Sequence, residues 1–338
     1  MAFAPTTAFK DAFTNRVVNV AGANALGYLM GNRSGEATVR SNRRYRVANP
    51  EVTVTKGSRN RDGSTGALAD ITTLSDDSGS LTWLNIDVLD NQHFKTQIDQ
   101  RDVNYMSPIT LDAIQAEMTR EATTWLDDRV WQFVKASVLS ADTEANADTN
   151  CTIDRNTGKV TGGNANQKQS YREVVFDWIN DLQLALAMKS FRPALGTRDI
   201  LDVAVVLTPA MHRMLQDFLL NEYKNTDQIV IEQLTGEAAL FGGFYQGTLK
   251  GVPIFTTTST ELTAQDDTAT KAGELFRAFA FIPGNTWDNA VAAYPMGHSE
   301  PSGDSAKFKF QQELELWAGV VNPESRGLFR QLTMKASE

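Results

Sequence analysis

The stretch SPITLDAIQAEMTREATTWLDDRVWQFVKASVLS, Ser107 to Ser140, decides how the rest of the chain is read. Ser107 is a natural N-cap, and Pro108 suits the first helical position, where its missing N–H costs nothing. No Gly or Pro interrupts the run before Ser140. Apolar residues fall at Leu111, Ile114, Met118, Ala122 and Trp125, steps of three and four that keep to one helical face. Beyond Trp125 the pattern widens to Leu126, Val130, Trp131, Phe133, Val134 and Val138, so burial on several sides is expected there. At about 1.5 Å per residue the run makes a helix of roughly 50 Å. A coiled coil fails, because the a/d register meets Glu121, Asp128 or Gln132 after two heptads, depending on frame. Asp112, Glu117, Arg120, Glu121, Asp127, Asp128 and Arg129 exclude a membrane span. What remains is a backbone helix that crosses a wide, flat molecule and changes partners along its length. The alternative is two shorter helices broken near Thr123 and Thr124.

The chain has 338 residues, enough for a sizeable core or two domains. Its 41% apolar and 22% charged content is that of a globular protein. A net charge of −9 argues against a sequence-independent nucleic-acid binder, which needs a basic surface. The one cysteine, Cys151, rules out an internal disulfide framework. No stretch reaches the ~18 continuous apolar residues of a membrane helix. The start, with Lys10, Asp11 and Arg16, lacks the pattern of a secretory signal, so a cytoplasmic protein is expected.

Outward from the helix, the chain divides into elements that need partners and elements that do not. Met1 to Met30 is weakly apolar and reads as an arm that gains structure by lying on something else. A basic run follows, Arg33, Arg40, Arg43, Arg44 and Arg46, suited to acidic protein surface, to nucleic acid, or to a solvated loop paired with the chain's own carboxylates. From Glu51 to Asp99 the pattern alternates around turn-rich tips, Lys56 to Gly66 and Ser75 to Ser80. This ribbon has too little apolar material for a core of its own. After the long helix, Ile153 and Val160 flank an Asn156-Thr157-Gly158 turn, a small hairpin. Ser170 and Glu173 form a capping box ahead of Val175, Trp178, Ile179, Leu182 and Leu186. Asp202 to Leu207 is a buried-strand run, and Thr208-Pro209 opens a helix with Met211, Met214, Leu215, Phe218 and Leu219. Pro253 marks Gly247 to Thr257 as a turn into an edge strand. Phe276 to Ile282, Asn289 to Tyr294 and Lys307 to Val321 read as strands, and Gly327 to Leu332 as a short final segment.

No catalytic constellation emerges. The Gly-x-Ser-x-Gly elbow is absent, and Gly242 to Thr248 has the glycines of a P-loop but Thr where Lys must stand. His93, His212 and His298 lie in three separate regions, so no zinc site is expected. His212, in the first turns of a helix, is expected to face solvent or bond to backbone. Asp127-Asp128 and Asp266-Asp267 are adjacent pairs that do not converge on one atom, and both are expected on solvated surface. Neither a metal nor a cofactor is expected.

The order of elements resembles the major capsid proteins of tailed phages, the Hong Kong 97 coat fold. The likeness runs from about residue 35 to 332 and rests on succession: arm, long extended loop, spine helix at Ser107 to Ser140, then an α/β A-domain. That domain carries Val205-Val206-Leu207-Thr208-Pro209 and Lys250-Gly251-Val252-Pro253-Ile254, and the chain closes with Trp317-Ala318-Gly319-Val320-Val321-Asn322-Pro323-Glu324. The resemblance implies an α+β fold divided into an N-terminal arm (1–34) and an extended β-ribbon loop with flanking strands (35–106). Spine helix and polar hairpin follow at 107–168 and the A-domain at 169–284. Peripheral-domain return strands occupy 285–322, and a tail at the A-domain occupies 323–338. It also implies self-assembly into pentamers and hexamers of an icosahedral shell around double-stranded DNA, with a portal at one vertex and assembly in the host cytoplasm.

Only about thirty residues precede the basic run, so a separate scaffolding protein is expected. Packaged DNA is expected to be contacted weakly. Candidate contacts between subunits are Arg33, Arg40, Arg43 and Arg44 on the basic run, Lys56, Arg59 and Arg61 at the loop tip, and Trp131 on the spine. Trp125 and Trp131 lie about 120° apart on a helix, which puts them on different partners. Trp125 is expected in the subunit's core and Trp131 against another subunit or the arm. A Lys56–Asn322 isopeptide bond is not expected, because the surroundings of Lys56 are polar. Two other readings stay open: an encapsulin-like cellular cargo shell, and a monomeric α/β enzyme.

Overall fold

A computed structural model of the chain describes residues 7–51, 80–99, 108–141, 150–154, 160–161, 175–180, 203–223, 243–249, 252–265, 274–284, 286–294, 297–299, 307–319 and 330–337. The Pro108–Ala141 stretch is one uninterrupted helix of 34 residues, and the break near Thr123 and Thr124 does not occur. Both threonines turn their hydroxyls back onto the helix, Thr123 to the Thr119 carbonyl at 2.8 Å and Thr124 to that of Arg120 at 3.1 Å. Met118, Ala122, Leu126, Val130, Trp131 and Val134 are buried, which is the widening stripe read from the sequence.

The segment expected as an arm is helical and lies on the chain's own long helix. It forms α1 (Thr7–Asn24), α2 (Leu26–Met30) and, after a turn, α3 (Glu36–Asn42). Phe13, Val17, Val18, Ala21, Leu26 and Leu29 enter the same core as the long helix. Gly27 is where backbone meets the helix most closely: an added Cβ would stand 3.1 Å from Trp131 Nε1 and Val130 Cγ1.

Two larger sheets and a ribbon complete the subunit. The ribbon pairs β1 (Tyr45–Glu51) with β2 (Ser80–Ile86), Tyr45 opposite Ile86 and Glu51 opposite Ser80. One sheet is built on the 13-residue strand β13 (Lys307–Gly319). Along one edge β13 pairs with β3 (Val88–Asp99), and along the other with β11 (Asp288–Ala293) and β12 (Gly297–Ser299).

The other sheet contains β4 (Asn150–Asp154), β5 (Val160–Thr161), β6 (Ala204–Leu207), β7 (Tyr245–Leu249), β8 (Val252–Thr256), β9 (Thr263–Gln265), β10 (Glu274–Phe281) and β14 (Arg330–Ser337). Its centre explains the unbroken apolar runs of β6 and β10. Ala204, Val206, Phe279 and Phe281 face the long helix, while Val205, Leu207, Ala278 and Ala280 face Val175, Phe176, Ile179, Met211 and Leu215. A strand covered on both faces loses the polar alternation of a half-exposed one.

The expected hairpin forms, with Ile153 opposite Val160, and β4 runs parallel to β14. The short final segment is instead a full strand that pairs with β10. The edge position expected for Pro253 is corrected, because β8 lies between β6 and β7. Pairing with β6 starts only at Ile254, so the proline faces no demand for a donor on that side. Thr208 caps the next helix, Pro209–Asp217, by accepting from the Met211 amide at 3.3 Å. The Ser170–Glu173 capping box lies outside the described residues.

Candidate assembly surface

The basic run is shaped by Gly35 and α3. An added Cβ on Gly35 would come within 1.8 Å of the Tyr45 ring, so only glycine lets the chain pass. The helix ends at Arg43, which takes left-handed backbone angles (φ 52°, ψ 39°) and donates its amide to the Val39 carbonyl at 2.9 Å. This turn aims the Arg43 guanidinium inward over the Tyr294 ring, at 4.0 Å. It also donates to Glu315 at 2.8 Å and to the Ala293 carbonyl at 3.1 Å. Arg40 pairs with Glu36 one turn earlier and reaches the Val291 carbonyl at 3.4 Å. Arg33 lies 5.9 Å from the Tyr28 ring centre.

Three of the expected contact residues therefore have partners within the subunit. Arg44 and Arg46 differ from these three. Both are exposed and form no ion pair among the described residues. With Thr38 and Asn42 they line an open cavity of about 550 Å³ at the root of the ribbon. Lys56, Arg59 and Arg61 lie outside the described residues. Trp131 is corrected: its exposure is 0%, so it has no surface to offer another subunit. It stacks on Phe279 at 5.7 Å and meets Phe281 and Trp287 at 6.2 Å each, the centre of the subunit's own core. Trp125 is only half-buried, edge-on to Phe94 at 6.1 Å, and donates Nε1 to Asp90 on β3 at 3.2 Å.

The residues that sequence reasoning missed are carboxylates. Asp127 and Asp128 were expected on solvated surface, and the structure overturns this. Asp127 accepts from the Gly27 amide at 2.7 Å, Thr257 Oγ1 at 2.8 Å and Trp131 Nε1 at 3.1 Å. Asp128 accepts from Ser259 Oγ at 2.5 Å and from the Thr260 amide and hydroxyl at 3.1 and 3.0 Å. The pair thus ties the long helix to α2 on one side and to the loop after β8 on the other. A signal existed: the pair interrupts the half of the helix whose apolar residues occupy most of the circumference, where some polar side chain must face inward.

Asp288 makes a second such tie, accepting from Asn32 Nδ2 at 2.6 Å and the Tyr45 hydroxyl at 3.1 Å. Burial pushes both Asp127 and Asp288 up to about 6, against hydrogen bonds that favour the charged form. His212 is buried, not solvent-facing, and burial lowers its pKa. Among the described residues no cluster of three or more His, Cys, Asp or Glu can hold a metal ion. Among them, too, no helix is long and apolar enough to cross a membrane.

No family model matches the sequence, and no curated protein does. Solved structures match over nearly the whole chain. The capsid of Ralstonia phage GP4 is similar over 87% of this chain and 84% of that one, with TM-score 0.54 at 9% identity. The capsid of an empty GTA particle is similar over 93% and 90%, with TM-score 0.52 at 12% identity. This chain has the fold of a phage capsid protein. The capsid of the cyanophage P-SCSP1u agrees, over 91% and 87%, with TM-score 0.51 at 10% identity. At such identities the capsid fold is carried by pattern and packing, not by shared residues. The neighbours are structural shell proteins, and the chain's mixed helix and sheet content belongs to that capsid fold.

Proposed function

We infer that the protein is the major capsid protein of a tailed phage, of the Hong Kong 97 type, and that it self-assembles into an icosahedral shell around double-stranded DNA. The observation that carries this reading is the capsid fold over nearly the full chain. The subunit's own features support it. The ribbon β1–β2 is anchored at its root, where Tyr45 and Ile86 join Val39, Ala290, Ala292 and Trp317. Arg44 and Arg46 stand at that root on a chain of net charge −9, so acidic surface on another copy is their natural complement. Contact with packaged DNA is weak for the same charge balance.

In this reading residues 169–284 form the A-domain at ring centres and 35–106 the loop laid on the next subunit, with Lys56, Arg59 and Arg61 at its contacts. Residues 1–34 are an arm, 107–168 and 285–322 make up the peripheral domain with its spine, and 323–338 return to the A-domain. Pentamers and hexamers, a separate scaffolding protein and a portal complete the shell in the host cytoplasm. The protein is not an enzyme. Electron microscopy and size-exclusion chromatography of the purified protein, co-expressed with scaffolding protein where needed, test the proposal. Closed shells or rings of five and six are expected. A monomer near the 37.2 kDa chain mass under all these conditions overturns it.

A further inference from the structure

Two carboxylates, the buried Asp288 and the largely covered Asp127, join no cation among the described residues. Asp127 and Asp288 belong to different elements, yet both hold the same stretch of chain. Asp127 takes the amide of Gly27 at its start, and Asp288 takes Asn32 in its middle and Tyr45 at its end. Between these points the stretch is joined to the body by backbone bonds: Asn32 amide to the Trp287 carbonyl at 2.8 Å, Asn289 amide to the Asn32 carbonyl at 2.9 Å, and Gly284 amide to the Met30 carbonyl at 2.7 Å. Side-chain bonds add to these, of Asn289 to the Tyr28 carbonyl and of Arg40 and Arg43 to β11 and Glu315. Amide and guanidinium groups do not change protonation between about pH 5 and about pH 7.5. Neither carboxylate joins any ion pair among the described residues.

We propose that Asp127 and Asp288 act together as a proton-responsive clasp, which sets how tightly residues 26–45 are held against the rest of the subunit.

The charged groups around them leave the clasp to these two residues. Beside Asp127 the long helix supplies Asp128, of like sign and already engaged by Ser259 and Thr260. The loop after β8 supplies Thr257 and, further on, Glu261, which pairs with Lys135 at 2.6 Å. The facing helix α2, Leu26–Met30, carries no charge, and the sheet presents Phe279 and Phe281. Facing Asp288 are Tyr45 and Asn32, and its strand partner on β13 is Gly319. The nearby cations are committed elsewhere, Arg33 beside the Tyr28 ring and Arg43 on Glu315.

Burial raises both acids from the ordinary carboxylate range to about 6. When the stretch lifts off, both meet water and return to that ordinary range, so closure takes up protons. The closed form is therefore favoured by acid and loses its hold as pH climbs through about 6. Protonation does not disrupt the site, because the Thr257 and Tyr45 hydroxyls can accept as well as donate. Each carboxylate loosens the stretch about ten-fold between about pH 5 and about pH 7.5, and the two together about a hundred-fold.

Hydrogen exchange of the purified full chain, corrected for intrinsic chemistry, reads this directly whether or not shells form. The opening constants of the Gly27 and Asn32 amides should rise about a hundred-fold across that window, while those of Val205 and Phe279 in the central sheet stay flat. Asp288→Asn should remove about ten-fold of the rise, and Asp127→Asn with Asp288→Asn should flatten it. Opening that is independent of pH or falls with it in the parent protein overturns the proposal, even if the double variant fails to fold. An undiminished rise in Asp288→Asn overturns it as well.

Discussion

Trp125 and Trp131 stand six residues apart on one helix and meet different partners. Trp131, which packs on the arm as well as on the sheet, is the core residue, and Trp125 is the half-buried one. Trp131 has the full aromatic surround of Phe279, Phe281 and Trp287, and its indole N–H is used by Asp127. Trp131→Ala should cost about 3–5 kcal/mol of subunit stability, the loss for a large core aromatic. Trp125→Ala should cost roughly 1–2 kcal/mol, since one edge-on ring contact and one hydrogen bond are lost at a half-buried site. Urea unfolding of the two variants checks the order, and equal losses would refute it. Gly35 is a residue whose identity is set by approach rather than by backbone angle. Gly35→Ala drives a methyl into the Tyr45 ring and displaces the hydroxyl from Asp288, so a loss of about 1–3 kcal/mol is expected in the same measurement.

At the scale of elements, the long helix and the ribbon are opposites. The helix is held along its length by α1, α2, both sheets and the Asp90 carboxylate, which pairs with Arg129 at 2.7 Å. Among the described side chains the ribbon is held at Tyr45 and Ile86, where Gly319 admits the Ile86 side chain to within 2.5 Å of the position a Cβ would take. Replacing residues 52–79 with a short Gly-Ser link keeps that root and the seven-residue pairing of β1 with β2. Shortening a loop changes closure entropy by only about 0.6 kcal/mol per two-fold in length. The truncated protein should therefore melt close to the parent temperature and fail to form closed shells. Unfolding on truncation, or normal shells in the micrographs, would each contradict the inter-subunit role.

For the whole molecule, the two buried acids favour the folded state in acid. The buried His212 exerts a smaller, opposite pull, because its lowered pKa makes it lose stability as pH falls. A carboxyl raised to about 6 in the fold and ordinary in the unfolded chain binds its proton more tightly when folded. Its stabilisation is complete below about pH 4 and is lost as pH rises through about 6. For Asp127 the difference between those limits is on the order of 3 kcal/mol. Thermal unfolding of the unassembled subunit should accordingly show a higher midpoint near pH 5 than near pH 7.5, with the gap narrowed in Asp127→Asn. The proposed contact of Arg44 and Arg46 with another copy belongs to the same scale and concerns assembly, not folding. Arg44→Ala with Arg46→Ala should change stability by less than about 0.5 kcal/mol, as exposed substitutions do. It should weaken assembly, and added salt should weaken assembly of the parent protein, both readable by light scattering.

The sequence by itself determined the long helix, the buried strand Ala204–Leu207 with the capped helix after it, and the likeness to a capsid protein. It missed the three helices of residues 7–42, and it assigned Val88–Asp99 to the ribbon although that strand pairs with β13. The features it determined are legible because hydrophobic period, caps and breakers act over a few neighbouring residues. Thr208-Pro209 and the Ile153–Val160 hairpin were read for that reason. Only the tertiary structure decided which side of a helix faces the core when apolar residues surround it, and so which tryptophan is central. It also decided that Asp127 bridges α2 and the loop after β8, while Asp128, alike in sequence, serves that same loop. The donors to Asp127, Gly27 and Thr257, stand 100 and 130 residues away along the chain. Arg43 turns inward for an equally distant reason, its partners lying on β11 and β13, whereas Arg33 and Arg40 also meet partners a few residues away, Tyr28 and Glu36. A charge pattern records how many cations a segment has, while the packing of remote strands settles which of them remain for another molecule.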